Sequence, residues 1–227
     1  MVIESAWMAN LGFILGGLLS GSISAGILQR FLSRQEENIA GWFSAEEKKY
    51  HPAYLLPLLT AGLFVLLFQI YGLTVETGAY CFMVTILLLL ALIDFKTMLI
   101  PNWSVLSLLP AGFLLAFFSR DVSWPARFIG FVAAGAVLLL IVILSRGGMG
   151  IGDVKLMTVI GFCLGWKATF LALFLASIIG GTVGLGILAG GKGNLKTEIP
   201  FGPFLVMGII VSILYGRELL SWYLNCF

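Results

Sequence analysis

Two aspartates stand beside long apolar runs, and they are the side chains in this sequence best suited to chemistry. Asp94 ends the run TILLLLALID, and Asp153 precedes the run VKLMTVIGFCLGW. Two carboxyls brought close together cannot easily both ionise, so one keeps its proton while the other stays charged. Such a pair can activate a water molecule and protonate the leaving amine of a peptide bond. It titrates as a coupled unit rather than as two independent acids.

Each aspartate also has a purely structural interpretation. Asp153 suits the N-cap of a helix, where its carboxylate accepts the free amide groups of the next turn. Asp94 can simply end a span, with Lys96 extending towards the lipid headgroups beside it. Asn102 can cap the following helix in the same way. Capping explains either acid alone, but it does not explain two acids at the same membrane face.

The elements that must position these acids are membrane spans. Hydrophobic residues make up 60% of the chain, charged residues only 11%, and the mean hydropathy is +1.06, whereas soluble domains carry about 25% charged residues. A membrane-spanning helix needs roughly 20 mostly apolar residues. Eight apolar segments are candidate spans: 8–29, 53–72, 79–93, 103–118, 126–145, 154–165, 168–190 and 201–215. The sixth is short, so the number of spans is seven if that segment is re-entrant. We therefore predict an all-α polytopic helical bundle.

The distribution of basic residues predicts the orientation of this bundle. With eight spans and the N-terminus outside, nine lysines and arginines lie on the cytoplasmic side and four lie outside: Arg120, Arg127, Lys167 and Arg217. The positive-inside rule favours this arrangement, and it puts Asp94 and Asp153 together at the cytoplasmic face. We expect a single domain over residues 1–227, with a short cytoplasmic loop at 30–51 between the first two helices.

Glycine and proline suggest how the spans pack and bend. Glycines four residues apart, such as Gly12 with Gly16 and Gly17 with Gly21, let helices approach closely in lipid. Pro57 and Pro110 fall inside predicted spans, so we expect them to kink those helices.

Several classes of hydrolase are excluded by what the sequence lacks. His51 is the only histidine, so a zinc protease of the H-E-x-x-H type is impossible, and there is no G-x-S-x-G nucleophile elbow. An ion-coupled transporter using the two acids is an alternative from a different class. The sequence shows no inverted repeat, which is a common feature of such transporters.

Three segments resemble the prepilin peptidases, also called type IV leader peptidases, which are GxGD-type intramembrane aspartic proteases. These segments are ALIDFKTMLIPN (91–102), GGMGIGDVKLM (147–157) and IPFGPFL (199–205). The resemblance implies an endopeptidase that cuts the short basic leader from prepilins or pseudopilins at the cytoplasmic face of the inner membrane. It implies that Asp94 and Asp153 are catalytic, that Gly150 and Gly152 shape the backbone around Asp153, and that Lys155 supports the motif.

The sequence departs from this family in its first loop. Many members carry cysteine pairs there that bind zinc, and they also methylate the new N-terminus using S-adenosylmethionine. Residues 30–51 contain no cysteine, and Pro57 stands where the family leads us to expect glutamate. We therefore expect no metal and no cofactor for the peptidase, and S-adenosylmethionine only if methyl transfer is retained. The alternatives left open are a bifunctional leader peptidase and N-methyltransferase, and the transporter. Expected partners are prepilin substrates and the lipid bilayer, but no nucleic acid.

Overall fold

The computed structural model describes residues 2–38, 55–145, 149–190 and 200–225, and every regular element in these ranges is a helix. The helices are α1 (Val2–Asn38), α2 (Leu56–Tyr71), α3 (Val75–Thr97), α4 (Asn102–Leu106), α5 (Leu109–Phe118), α6 (Trp124–Leu144), α7 (Ile151–Ala189) and α8 (Gly202–Asn225). This confirms the predicted all-α class. The predicted loop at 30–51 is partly wrong, because the backbone stays helical to Asn38. Residues 39–50 lie outside the described ranges.

The helices are those of a multi-pass membrane protein. Five of them are long and apolar enough to cross a bilayer: α1, α3, α6, α7 and α8. Two shorter apolar stretches, Leu56–Tyr71 and Asn102–Phe118, correspond to the second and fourth predicted spans. The polytopic helical bundle predicted from composition is therefore confirmed.

The sixth and seventh predicted spans form one helical run with a sharp break. Within α7, Gly165 adopts φ 77° and ψ 167°, which lies outside the helical region. This conformation is almost exclusive to glycine, because it brings a Cβ into conflict with the backbone. The break divides α7 into a first arm (151–164) and a second arm (166–189), with no separate loop between them.

A buried arginine accompanies the break in α7. The guanidinium of Arg127, on α6, is 1% exposed. It donates to the carbonyl oxygens of Phe162 and Cys163, at the end of the first arm, and to that of Leu115 on α5. Backbone groups inside a membrane protein must be satisfied internally. Arg127 therefore serves as the hydrogen-bond donor for the end of the first arm and ties three helices together.

The two prolines predicted to kink their helices instead begin them. Pro57 and Pro110 each lie in the first two positions of a helix, α2 and α5 respectively. Proline is favoured there because the missing N–H would have no intrahelical acceptor. An apolar run does not show where a helix begins, so the prediction placed both prolines too deep in their spans.

Small residues bring the helices together at several crossings. A Cβ added at Gly17 would overlap the backbone of Ala61, and one added at Gly21 would overlap Pro57, which confirms the packing role predicted for this pair on α1. Gly130 on α6 and Gly161 on α7 approach each other equally closely. The prediction for Gly12 and Gly16 is wrong in this structure, since a Cβ at either meets nothing within 4 Å.

Candidate active site

Asp94 is fixed at the end of one helix by the beginning of another. It lies in the last turn of α3 and is only 6% exposed. Its Oδ2 atom accepts a hydrogen bond of 3.0 Å from the backbone amide of Gly202, the first residue of α8. Free amide groups and the positive end of the helix dipole meet at such a helix start, and both attract a carboxylate. The α8 terminus therefore holds the Asp94 side chain in place.

Asp153 lies in the first turn of α7 and is also 6% exposed. The predicted N-cap role is wrong, because the N-cap residue of α7 is Gly150 and Asp153 is the third helical residue. From this position its carboxyl interacts with the backbone of Gly150, as a third-position acid does in a capping box.

The two predicted acids come together although 59 positions separate them in the sequence. Asp94 and Asp153 are close enough for their carboxyls to interact electrostatically. Each is contributed by the end of a different helix, α3 and α7, and each is buried. Two buried carboxyls that interact do not readily both ionise, because burying two like charges together is costly. The arrangement is chemically suited to acid–base work on a water molecule.

The glycines around Asp153 differ in how strictly they are needed. A Cβ at Gly152 would lie 2.8 Å from Cβ of Ile100, so only glycine fits against the segment that follows α3. A Cβ at Gly150 would lie 3.6 Å from Oδ2 of Asp153, an ordinary contact, and its φ of −71° suits any residue. Gly152 thus allows the Asp153 turn to pack against the segment that directly follows the helix carrying Asp94.

Lys155 forms a hydrogen bond with Asn102. Its Nζ atom donates to Oδ1 of Asn102 over 3.0 Å, at an exposed position. The predicted capping role of Asn102 is wrong, since the N-cap of α4 is Pro101 and no side chain caps that helix. The Asn102 side chain instead links α4 to the first turn of α7, next to the acid pair.

A family model and several known proteins that match this chain are leader peptidases. The model of the "Type IV leader peptidase family" matches residues 81–185, which include both aspartates. A prepilin leader peptidase/N-methyltransferase of Bacillus subtilis is 33% identical over 168 residues, covering 74% of this chain and 68% of that protein.

The chain belongs to the type IV leader peptidase family. This confirms the predicted family and the predicted class of enzyme, a prepilin leader peptidase. A relative of the same name from Aeromonas hydrophila is 33% identical over 178 residues, or 76% of this chain and 61% of the relative. One from Stutzerimonas stutzeri is 32% identical over 161 residues, or 68% and 55%. The chain thus spans roughly 55–68% of these three relatives. No solved structure matches it.

The candidate site also contains Gly202, next to Asp94, for which the sequence predicts no role. Gly202 belongs to the IPFGPFL segment, which the resemblance singled out only as a matching block. A Cβ at Gly202 would overlap the Asp94 carboxyl. A glycine between two prolines in this block is a signal of tight backbone approach, but the residue it approaches depends on how α8 folds back onto α3.

The turn that follows Asp94 is unusual for its residue type. Met98 has φ 51°, in the left-handed region that non-glycine residues rarely adopt, and its amide donates to the Asp94 carbonyl over 2.8 Å. This sharp end to α3 turns the chain towards Ile100, the residue that contacts Gly152. The left-handed cap at Met98 thus connects the backbone of Asp94 to the contact that Ile100 makes beside Asp153.

The described part of the leader peptidase offers no complete ligand set for a metal ion. No three His, Cys, Asp or Glu side chains lie together within the residues searched. Cys81 and Cys163 are both buried and unpaired.

Proposed function

We propose that this chain is a membrane aspartic endopeptidase that removes the leader of type IV prepilin-like proteins, with Asp94 and Asp153 as its catalytic pair. The observation that carries the proposal is the meeting of two buried, interacting carboxyls at the ends of α3 and α7. Both lie within the part of the chain that matches the leader peptidase family.

The geometry suggests a general acid–base hydrolysis without a covalent intermediate. The charged carboxylate takes a proton from water as the water oxygen attacks the scissile carbonyl carbon. The neutral carboxyl gives its proton to the carbonyl oxygen, which forms a tetrahedral diol. When the C–N bond breaks, one aspartate returns a proton to the leaving amine and the other removes one from the diol. The products are the released leader, with a new carboxyl terminus, and the mature protein, with a new amino terminus.

The substrate enters this scheme through the bilayer. The hydrophobic segment of the prepilin would lie in lipid beside the enzyme, with the scissile bond next to the ends of α3 and α7. The proposed orientation places this end in the cytoplasm and the protein in the inner membrane, on the basis of the nine-to-four distribution of basic residues. The whole chain acts as one domain in this proposal, since α1 packs on α2 and α8 supplies the amide that binds Asp94.

Co-expression with a prepilin substrate tests the proposal. Asp94→Asn and Asp153→Asn keep the side-chain volume but cannot share a proton as carboxyls do, so each should leave the prepilin at its longer, uncut size on a gel. Asp121→Asn is the matched control, because Asp121 is an exposed acid that pairs with Arg217 away from the site. The Asp121→Asn variant should cut the prepilin as the wild type does. Normal cutting by either site variant, inserted at the wild-type level, contradicts the two-aspartate mechanism.

Methyl transfer is a second candidate function, because the relatives are named N-methyltransferases as well as leader peptidases. The residues described offer no support for the group that such a reaction needs. Pro57, where glutamate was expected, packs its backbone against Gly21 and provides no carboxylate. The mass of the mature pilin N-terminus decides the question, since retained activity adds one methyl group.

The transporter alternative has no observation in its favour. Asp94 and Asp153 lie in the last and first turns of their helices rather than at their centres. Membership of a peptidase family favours a hydrolytic role for the pair instead.

A further inference from the structure

A second polar feature lies at the opposite end of the bundle from the aspartates. It is a cavity of about 640 Å³, which we call the outer cavity, between the 120–123 connection, the break in α7 and the last part of α8. Tyr80 of α3 lines it, fourteen residues before Asp94, which is about 21 Å of helix. The outer cavity is therefore separate from the proposed peptidase site.

Basic residues converge on the outer cavity from three separate parts of the chain. Arg120, Lys167 and Arg217 all line it. They are three of the four basic residues that the positive-inside pattern left on the outer side. The fourth, Arg127, follows the lining residue Ala126 and binds the carbonyls just before the break. The exceptions to the charge rule are thus gathered around one cavity rather than scattered over a surface.

The charges in the outer cavity are only partly balanced. Arg217 is paired with Asp121 and lies over the ring of Tyr71. Among the described residues, Arg120 and Lys167 have no acidic partner, and Lys167 lies over the ring of Trp166. Glu76 and Glu218 act on Tyr71 electrostatically but do not line the cavity. The lining therefore carries three cations against one acid.

Two further features of the outer cavity suit an anion at headgroup depth. Ser123, the N-cap residue of α6, lines the cavity, and its hydroxyl makes no capping bond. Uncapped amide groups at a helix start favour an anion. Trp166 lines the cavity and Trp124 follows the lining residue Ser123 in the chain; each is 39% exposed, and exposed tryptophans gather at membrane–water interfaces. A volume of this size falls in the usual range for small-molecule sites, roughly 300–1,000 Å³.

We propose that the outer cavity binds a phosphate group, through Arg120 and Lys167, with Arg217 and the start of α6 completing the site. The ligand is the headgroup of an anionic phospholipid of the outer leaflet or a free phosphate ion, which share this chemistry. Arginine and lysine hold phosphate oxygens by charge-assisted hydrogen bonds. The proposal does not depend on the peptidase function and would survive its failure.

The test compares two double variants of the full-length protein. The cavity variant, Arg120→Gln with Lys167→Gln, removes both unpaired cations and leaves the Arg217–Asp121 pair intact. The control variant, Arg30→Gln with Lys96→Gln, removes two cations from parts of α1 and α3 that do not line the cavity. Native mass spectrometry from nanodiscs containing phosphatidylglycerol or only phosphatidylcholine measures bound lipid. Thermal shift of the delipidated protein with inorganic phosphate measures the free ion.

The wild type and the control variant should retain phosphatidylglycerol, and the cavity variant should bind it roughly tenfold or more weakly. If phosphate alone shifts the melting temperature of the wild type and control but not of the cavity variant, the ligand is the free ion. Either result supports the site. Equal binding by both double variants, or no binding of either probe to the wild type, overturns it.

Discussion

The carboxyl of Asp94 and the backbone amide of Gly202 are joined by a hydrogen bond of 3.0 Å, although 108 residues separate them in the chain. This contact makes α8 part of the site that α3 and α7 form. It also explains why glycine occupies position 202, since any Cβ there would overlap the carboxyl it binds. A positioned carboxyl is what a water-activating pair requires.

Gly202→Ala should therefore damage catalysis without preventing the bundle from forming. The added methyl group pushes Asp94 away from the α8 terminus and out of its position relative to Asp153, and we expect the rate of leader removal to fall roughly a hundredfold. Gly78→Ala, on the same helix as Asp94, is the matched control, because a Cβ there meets nothing within 4 Å. Rates are measured with a purified prepilin substrate. Equal rates for the two variants would show that the contact has no catalytic importance.

The hydrogen bond between Lys155 and Asn102 should couple these residues energetically. Lys155→Ala and Asn102→Ala each release the start of α4 from the first turn of α7, so each should slow cleavage by about two- to fivefold, and the double variant should be no slower than the worse single one. Gly181→Ala on α7 makes no contact with Asn102, and its effect should simply multiply with that of Asn102→Ala. Independent, multiplicative effects of the Lys155 and Asn102 changes would refute the coupling.

Gly165→Ala should destabilise the protein. Alanine is strained at φ 77° and ψ 167°, and its Cβ would lie 2.6 Å from Val122 Cγ1. We expect a loss of about 1–3 kcal/mol in the free energy of unfolding, seen as a lower melting temperature by circular dichroism in detergent. Gly181→Ala in the helical second arm has open space and should hold or raise the melting temperature, since alanine favours helices. A Gly165 variant as stable as the wild type would mean that α7 does not need its break.

Arg127→Met should be more damaging, because it leaves the carbonyls of Phe162 and Cys163 buried without the Arg127 donor. The carbonyl of Leu115 loses one of its two donors and keeps the amide of Ser119. Each unsatisfied buried group costs about 1–3 kcal/mol, so we expect the largest fall in melting temperature of these variants. Arg120→Met changes an exposed residue nearby and should alter stability by only about 0.5 kcal/mol in detergent without anionic lipid. If the two variants have the same melting temperature, Arg127 does not stabilise the break.

The sequence indicates the membrane spans and the acid pair, because both depend on local properties. Long apolar runs mark the spans, and two acids at their ends are conspicuous in a chain with so few charges. Gly165 gives no such signal, since a glycine in an apolar run looks the same whether it is helical or breaks the helix. Arg127 counts as one outer charge in the sequence, but its buried position arises only when α5, α6 and α7 pack.

The contact between Gly202 and Asp94 likewise depends on tertiary structure. The third matching segment marks residues 199–205 as notable, but only the return of α8 to the end of α3 shows which atom its amide binds. The helix boundaries at Pro57 and Pro110 were misplaced for a related reason. In a uniformly apolar run, hydropathy does not distinguish the first turn of a helix from its centre.

The most direct test of the two-aspartate account is the cleavage rate of a purified prepilin by the wild type, Asp94→Asn, Asp153→Asn and the double variant. If the pair acts as a unit, each single change should reduce the rate by roughly a thousandfold or more, and the double variant should be no slower than either single one. Near wild-type cleavage by either single variant, with its melting temperature unchanged, would contradict the account.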